Sequence, residues 1–167
     1  GGLGIPYSDE SLIDLNAYNQ IISETVGDLD CKLSIEPGRY LVGEAGILIT
    51  RVIYIKQGEQ KKFVIVDGAM NDLIRPTLYD GFHAIVPVTE KNLSSQKSLC
   101  DVVGPICESG DYFAKDRMLP EVSQNDLLAI TCSGAYGAVM ASNYNSRPLI
   151  SEVLVSNDVF SVIRERQ

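Results

Sequence analysis

From residue 47 onward the chain breaks into short β-branched runs divided by turn residues, and that pattern leaves few folds open. Residues 47–55 and 62–66 are such runs, and Gln57-Gly58-Glu59-Gln60 between them reads as the turn of a hairpin. Further strand candidates are 83–88, 100–107, 126–131, 149–155 and 159–164. One helix is predicted near Ala135–Ser142. Many short strands parted by turns predict an antiparallel β-sandwich or barrel, so the chain is mainly β.

The first 40 residues have a different character. Gly1-Gly2-Leu3-Gly4 is a glycine-rich loop whose backbone N–H groups could cradle a phosphate. Leu12, Leu15, Tyr18, Ile22 and Val26 then recur at helical spacing, which predicts a helix over about 9–26, with Asp9 and Glu10 in its first turn and Gly27 as its stop. Cys31–Ile35 reads as a strand, and Glu36-Pro37-Gly38-Arg39-Tyr40 ends it. Pro37 cannot donate a ladder hydrogen bond, and Gly38 lets the backbone approach a ligand. Loop, helix, strand and turn make an α/β crossover unit, and a short helical turn is expected over 41–45. The change of character falls near residues 40–46. The chain opens inside a glycine motif and without Met, so it is expected to be part of a longer protein.

Composition narrows the function classes. With 45% hydrophobic and 22% charged residues the chain is expected to be globular and soluble. A net charge of −8 argues against nucleic acid or an anionic membrane as partner. One histidine, His83, excludes a metal site built on several histidines. The four cysteines, Cys31, Cys100, Cys107 and Cys132, form no CxxC pair and are expected to be reduced thiols of a cytoplasmic protein. No signal peptide or membrane span is visible.

Several stretches could carry chemistry. Glu36 and Arg39 form either a local ion pair or a ligand site at a strand end. Arg75 precedes Pro76, which favours an extended backbone and an Arg free to fork onto a carboxylate; Tyr79, four residues on, could add a hydroxyl. The other reading is a surface Arg with a core Tyr. Cys107 and Glu108 lie on a glycine-bounded turn, Gly104 to Asp111. A thiol there is either buried packing or a proton donor to a carbanion. Gly134-Ala135-Tyr136-Gly137 allows close approach of another backbone or of a flat ligand, with Tyr136 as the one large group. His83, at the start of an apolar strand, reads as structural.

Taken together, five stretches resemble the fold-type III pyridoxal-phosphate decarboxylases, and among them the diaminopimelate decarboxylases. They are Gly-Gly-Leu-Gly-Ile-Pro-Tyr (1–7), Glu-Pro-Gly-Arg-Tyr (36–40), Ile-Arg-Pro-Thr-Leu-Tyr (74–79), Gly-Pro-Ile-Cys-Glu-Ser-Gly-Asp (104–111) and Gly-Ala-Tyr-Gly (134–137), in family order along the whole chain.

The resemblance implies that residues 1–42 are the last βα elements of a (β/α)8 barrel and that residues 43–167 are the C-terminal β-sandwich or barrel domain. It implies pyridoxal 5'-phosphate as cofactor, held by Gly2, Glu36, Pro37, Gly38, Arg39 and Tyr136. Glu36 would meet the pyridine nitrogen, where a racemase of this fold class places an arginine. Arg39, Arg75, Tyr79, Glu108 and Tyr136 would contact the substrate, meso-2,6-diaminopimelate, whose product is L-lysine. Its second amino-acid head needs a cation for the carboxylate, which Arg75 fits, and an anion for the ammonium, which Glu108 fits. Cys107 would protonate Cα. Family members form homodimers in which Cys107 and Glu108 serve the other subunit's site. The lysine that carries the cofactor, and the histidine stacked on its ring, belong to an N-terminal barrel portion outside this sequence. A decarboxylase for ornithine, arginine or carboxynorspermidine, and an inactive dimerising β-domain, are the other readings.

Overall fold

The computed structural model describes residues 1–8 and 10–167, with backbone alone at 91 and 92. Its centre is a six-stranded mixed sheet built from β1 (Leu48–Gln57), β2 (Lys62–Val66), β3 (Ile85–Pro87), β4 (Lys97–Val103), β5 (Tyr112–Pro120) and β6 (Leu127–Ile130). The order across the sheet is β3-β6-β1-β2-β4-β5. All neighbours are antiparallel except β2 and β4, which run parallel. The two edge strands β3 and β5 also touch, so the sheet curls into a nearly closed barrel. Arg117 on β5 helps to close it: its Nη1 donates to the His83 carbonyl at 2.8 Å, and its guanidinium lies 3.9 Å from the centre of the Phe82 ring.

Strand alternation builds the core. Along β1, Leu48, Thr50 and Val52 point inward while Ile49 and Arg51 face out. Val52, Val64, Val66, Leu73, Val102, Phe113, Leu119, Leu128 and Ile130 form one buried cluster. Each such side chain contributes about 1.5–3 kcal/mol relative to exposure. The mainly β architecture therefore follows the sequence pattern, and the turn at Gly58 closes the β1–β2 hairpin with a bond from its N to the Lys61 carbonyl at 3.0 Å.

Five local expectations are corrected. The first helix, α1, runs Leu15–Val26, because the Asp14 carboxylate accepts from the N–H groups of Asn16 and Ala17 and caps it there. Asp9 lies outside the described residues, and Glu10 accepts from the Tyr7 N–H ahead of the helix. Residues 31–35 form no strand, since among the described residues no strand lies beside them to complete a ladder. The helix expected over 135–142 is only a 3-10 turn at Ala138–Met140, preceded by Tyr136 in the left-handed region at φ 61°. Arg75 is not extended: it opens α3 (Arg75–Tyr79), and Pro76 sits in the first turn, where a missing N–H costs nothing. The turn expected over 41–45 is α2, at Gly38–Val42.

Residues 1–7 pack onto the barrel. Leu3 and Ile5 are buried, and Ile5 fills the space beside Gly43. The hairpin of β7 (Glu152–Ser156) and β8 (Val159–Arg164) stands apart from the six-stranded sheet. A four-residue helix, α3's successor α4 (Glu90–Leu93), follows β3.

Candidate functional site

The glycine loop and the Glu36 turn lie side by side. A Cβ on Gly1 would stand 2.9 Å from the Glu36 carbonyl oxygen, so only glycine permits this approach. Gly2 has φ +95°, and the space beside both Gly2 and Gly38 is open. Glu36 is exposed and Arg39 half-buried. Among the described residues neither side chain has an ion-pair or hydrogen-bond partner, so the local ion pair is absent. A carboxylate and a guanidinium are thus left uncommitted around two open glycines. This donor set fits pyridoxal phosphate: backbone N–H groups and a cation for the phosphate, and a carboxylate for a protonated ring nitrogen.

Gly134 ties Tyr136 to that turn. A Cβ at Gly134 would overlap the Val42 carbonyl at the end of α2. In this close packing Gly134 N donates to the Gly43 carbonyl at 3.1 Å, and Ser133 N to the Gly46 carbonyl at 2.8 Å. Of the two readings open for Gly134, backbone approach is the one realised. Tyr136 then stands beside the joint with 45% of its surface exposed.

Arg75 is held from inside. It is 9% exposed, its guanidinium lies 4.5 Å from the centre of the Tyr7 ring, and its Nη1 is 2.7 Å from His83 Nε2. His83 is fully buried, meets Tyr7 edge-on, and places Nδ1 2.8 Å from the Thr131 carbonyl. Burial pushes the imidazole below its ordinary value. Tyr79, at the far end of α3, is exposed.

Cys107 and Glu108 occupy an exposed turn with a buried anchor. The Asp111 carboxylate accepts from Met70 N at 2.7 Å and from Ile106 N at 2.6 Å. Gly104 N donates to the Asp111 carbonyl at 3.0 Å. Thr77 Oγ1 donates to the Gly110 carbonyl, and Tyr112 hydroxyl to the Pro76 carbonyl at 3.3 Å, so the turn is tied to α3. The Tyr144 hydroxyl donates to the Glu108 carboxylate at 3.4 Å, beside a cleft lined by Met70, Asn71, Ile74, Ser142 and Tyr144.

Two groups therefore emerge. One joins Gly2, Glu36, Pro37, Gly38, Arg39 and Tyr136; the other joins Arg75 and Tyr79 with Cys107 and Glu108. No hydrogen bond or ion pair among the described residues links Cys107 or Glu108 to Gly2, Glu36, Gly38 or Arg39. Three supporting residues were not singled out from the sequence: Tyr7, Asp111 and Tyr144. Tyr7 closes the first quoted stretch and Asp111 closes the fourth, so a signal existed for both; nothing marked Tyr144.

The model for the C-terminal sheet domain of pyridoxal-dependent decarboxylases matches residues 13–134. The chain belongs to that family. A relative named diaminopimelate decarboxylase from Neisseria meningitidis serogroup A is 51% identical over all of this chain, which covers 40% of the relative. One of the same name from Zymomonas mobilis is 48% identical over 169 residues, with 39% of it covered. The crystal structure of diaminopimelate decarboxylase from Helicobacter pylori complexed with L-lysine superposes with a TM-score of 0.90 at 48% identity, covering 99% of this chain and 40% of that one. The chain thus spans about 40% of the length of the decarboxylases it matches. Family membership implies pyridoxal phosphate as cofactor, in agreement with the donor set around Gly2 and Glu36. No helix among the described residues is long and apolar enough to cross a membrane.

Proposed function

We propose that the protein carrying this chain decarboxylates meso-2,6-diaminopimelate to L-lysine and CO2 in the cytoplasm. The observation that carries this reading is Arg75, a buried guanidinium whose Nη1 rests on His83 and whose Nε and Nη2 have no protein partner among the described residues. A buried cation with a free edge suits the carboxylate of a second amino-acid head, which ornithine lacks. The names of the relatives and the lysine bound in the Helicobacter pylori structure support the same substrate.

Each residue then has a physical task. Gly2 and Gly38 offer backbone N–H groups to the cofactor phosphate, and Arg39 adds a positive charge for it and for a substrate carboxylate. Pro37 stiffens the turn that presents them. Glu36 keeps the ring nitrogen protonated. When bound there, pyridoxal phosphate supplies the electron sink for the pair left as CO2 departs. Tyr136 borders both cofactor and substrate. Arg75 and Tyr79 grip the distal carboxylate, and Glu108 the distal ammonium. Cys107 delivers the proton to Cα.

Cys107 and Glu108 serve the site of a second subunit, which accords with the absence of any bond from them to the Glu36 turn. The working unit is then a homodimer. Residues 1–42 end a (β/α)8 barrel and residues 43–167 form the β-domain; the lysine joined to the cofactor comes from the N-terminal barrel portion. The test is CO2 release by the full-length protein with pyridoxal phosphate. Release from meso-diaminopimelate and not from ornithine is expected; equal rates would contradict the proposal.

A further inference from the structure

His83 is the sole histidine of the chain, fully buried, and outside every role assigned above. Its surroundings determine its tautomer. Nδ1 is 2.8 Å from the Thr131 carbonyl, which can only accept, so Nδ1 carries the hydrogen. Nε2 is 2.7 Å from Arg75 Nη1, which can only donate, so Nε2 presents its lone pair. Both contacts are satisfied together only by the neutral imidazole. Arg75 meets His83 from α3, Arg117 reaches its carbonyl from β5, and Tyr7 lies edge-on from the N-terminal segment. Burial and the two arginines disfavour a proton on the ring.

We propose that His83 is a positioning residue for Arg75: its Nε2 lone pair takes one end of the guanidinium, while Tyr7 takes a face, so that the remaining edge is turned to an incoming carboxylate. A guanidinium on a flexible stem would otherwise choose among several rotamers, and fixing one lowers the entropy lost when the ligand binds. The inference rests on the reading of Arg75 as receptor for the distal carboxylate.

Two substitutions separate the contacts of the ring. In His83→Asn the shorter amide can still donate to the Thr131 carbonyl but falls short of Arg75. In His83→Gln an amide oxygen reaches toward Arg75. The readout is inhibition of the full-length holoenzyme by L-lysine, which has a carboxylate, and by cadaverine, which has none, with melting temperature as the check on folding. The His83→Asn enzyme is expected to bind L-lysine about tenfold more weakly, the size of one lost bond to a charged group, with cadaverine unchanged. The His83→Gln enzyme should recover most of the loss. Equal lysine inhibition in both variants and wild type, or equal losses for lysine and cadaverine, would overturn the proposal. Arg75→Ala is the control: if it leaves lysine inhibition unchanged, the reading of Arg75 itself fails; if it weakens lysine while His83→Asn does not, only the role of His83 fails. A measurement that needs no folded Asn variant is 15N NMR of wild type, with the His83 signals assigned by their loss in His83→Gln. An unprotonated Nε2 at neutral pH is expected, and a protonated one overturns the proposal.

Discussion

Gly134 lies against the backbone at the end of α2, with its N donating to the Gly43 carbonyl at 3.1 Å. The contact joins the turn that bears Glu36 and Arg39 to the turn that bears Tyr136. Because a Cβ at Gly134 would overlap the Val42 carbonyl, Gly134→Ala must push the two apart. Loss of about 1–3 kcal/mol of stability is expected, read by denaturant unfolding, together with weaker retention of pyridoxal phosphate on dialysis. Wild-type values in both would remove the joint from the account.

Asp111 is the internal anchor of the Cys107 turn. Asp111→Ala leaves the N–H groups of Met70 and Ile106 without their acceptor. Each buried orphan costs about 1–3 kcal/mol. Turnover should fall along with thermal stability, whereas cofactor absorbance, which depends on the Glu36 side, should persist.

Cys107 is exposed on that turn and free of a disulfide. Cys107→Ala should fold and bind cofactor normally, yet turn over about 100-fold more slowly or worse, as loss of a general acid does. Single-turnover CO2 release and product protonation measured in parallel would locate the loss; unchanged turnover would exclude Cys107 from the proton transfer.

The buried His83 also predicts a pH dependence. Its folded value lies below the ordinary 6.5, so between the two values the unfolded chain binds more protons than the folded one. Stability therefore rises with pH through that window and is lost as pH falls below about 6.5. The groups facing the ring are Arg75 from α3, Arg117 from β5 and Tyr7 from the N-terminal segment. Unfolding curves from pH 7 to pH 5 should show wild type losing stability more steeply than His83→Gln, which cannot take up the proton. Parallel slopes would mean that the ring takes up its proton equally in the folded and unfolded states, and would contradict the lowered value.

Much of this was legible in the sequence, for reasons that particular residues make plain. β1 alternates inward and outward over Leu48–Val52, and β2 and β6 are short, nearly continuous apolar runs, so their pattern is visible. β5 escaped because Lys115-Asp116-Arg117 interrupts its apolar run. The structure resolves that run as a bulge: Asp116 adopts φ 48°, its N–H donates to the Asp101 carboxylate at 2.8 Å, and Lys61 pairs with both acids. Residues 31–35 have a strand's composition but no neighbouring strand among the described residues, and a ladder is not a local property. Arg75 was legible as a candidate through Pro76, but the buried histidine that holds it lies eight residues away and carries no local mark.

The central claim is that Arg75 selects a substrate with a distal carboxylate. Its most direct test is the ratio of kcat/KM for meso-diaminopimelate to that for ornithine, in wild type and in Arg75→Leu, using the full-length holoenzyme. The account predicts that the ratio falls by about 100-fold or more, the scale of a lost charge-assisted contact, with the loss on diaminopimelate. An unchanged ratio would contradict it.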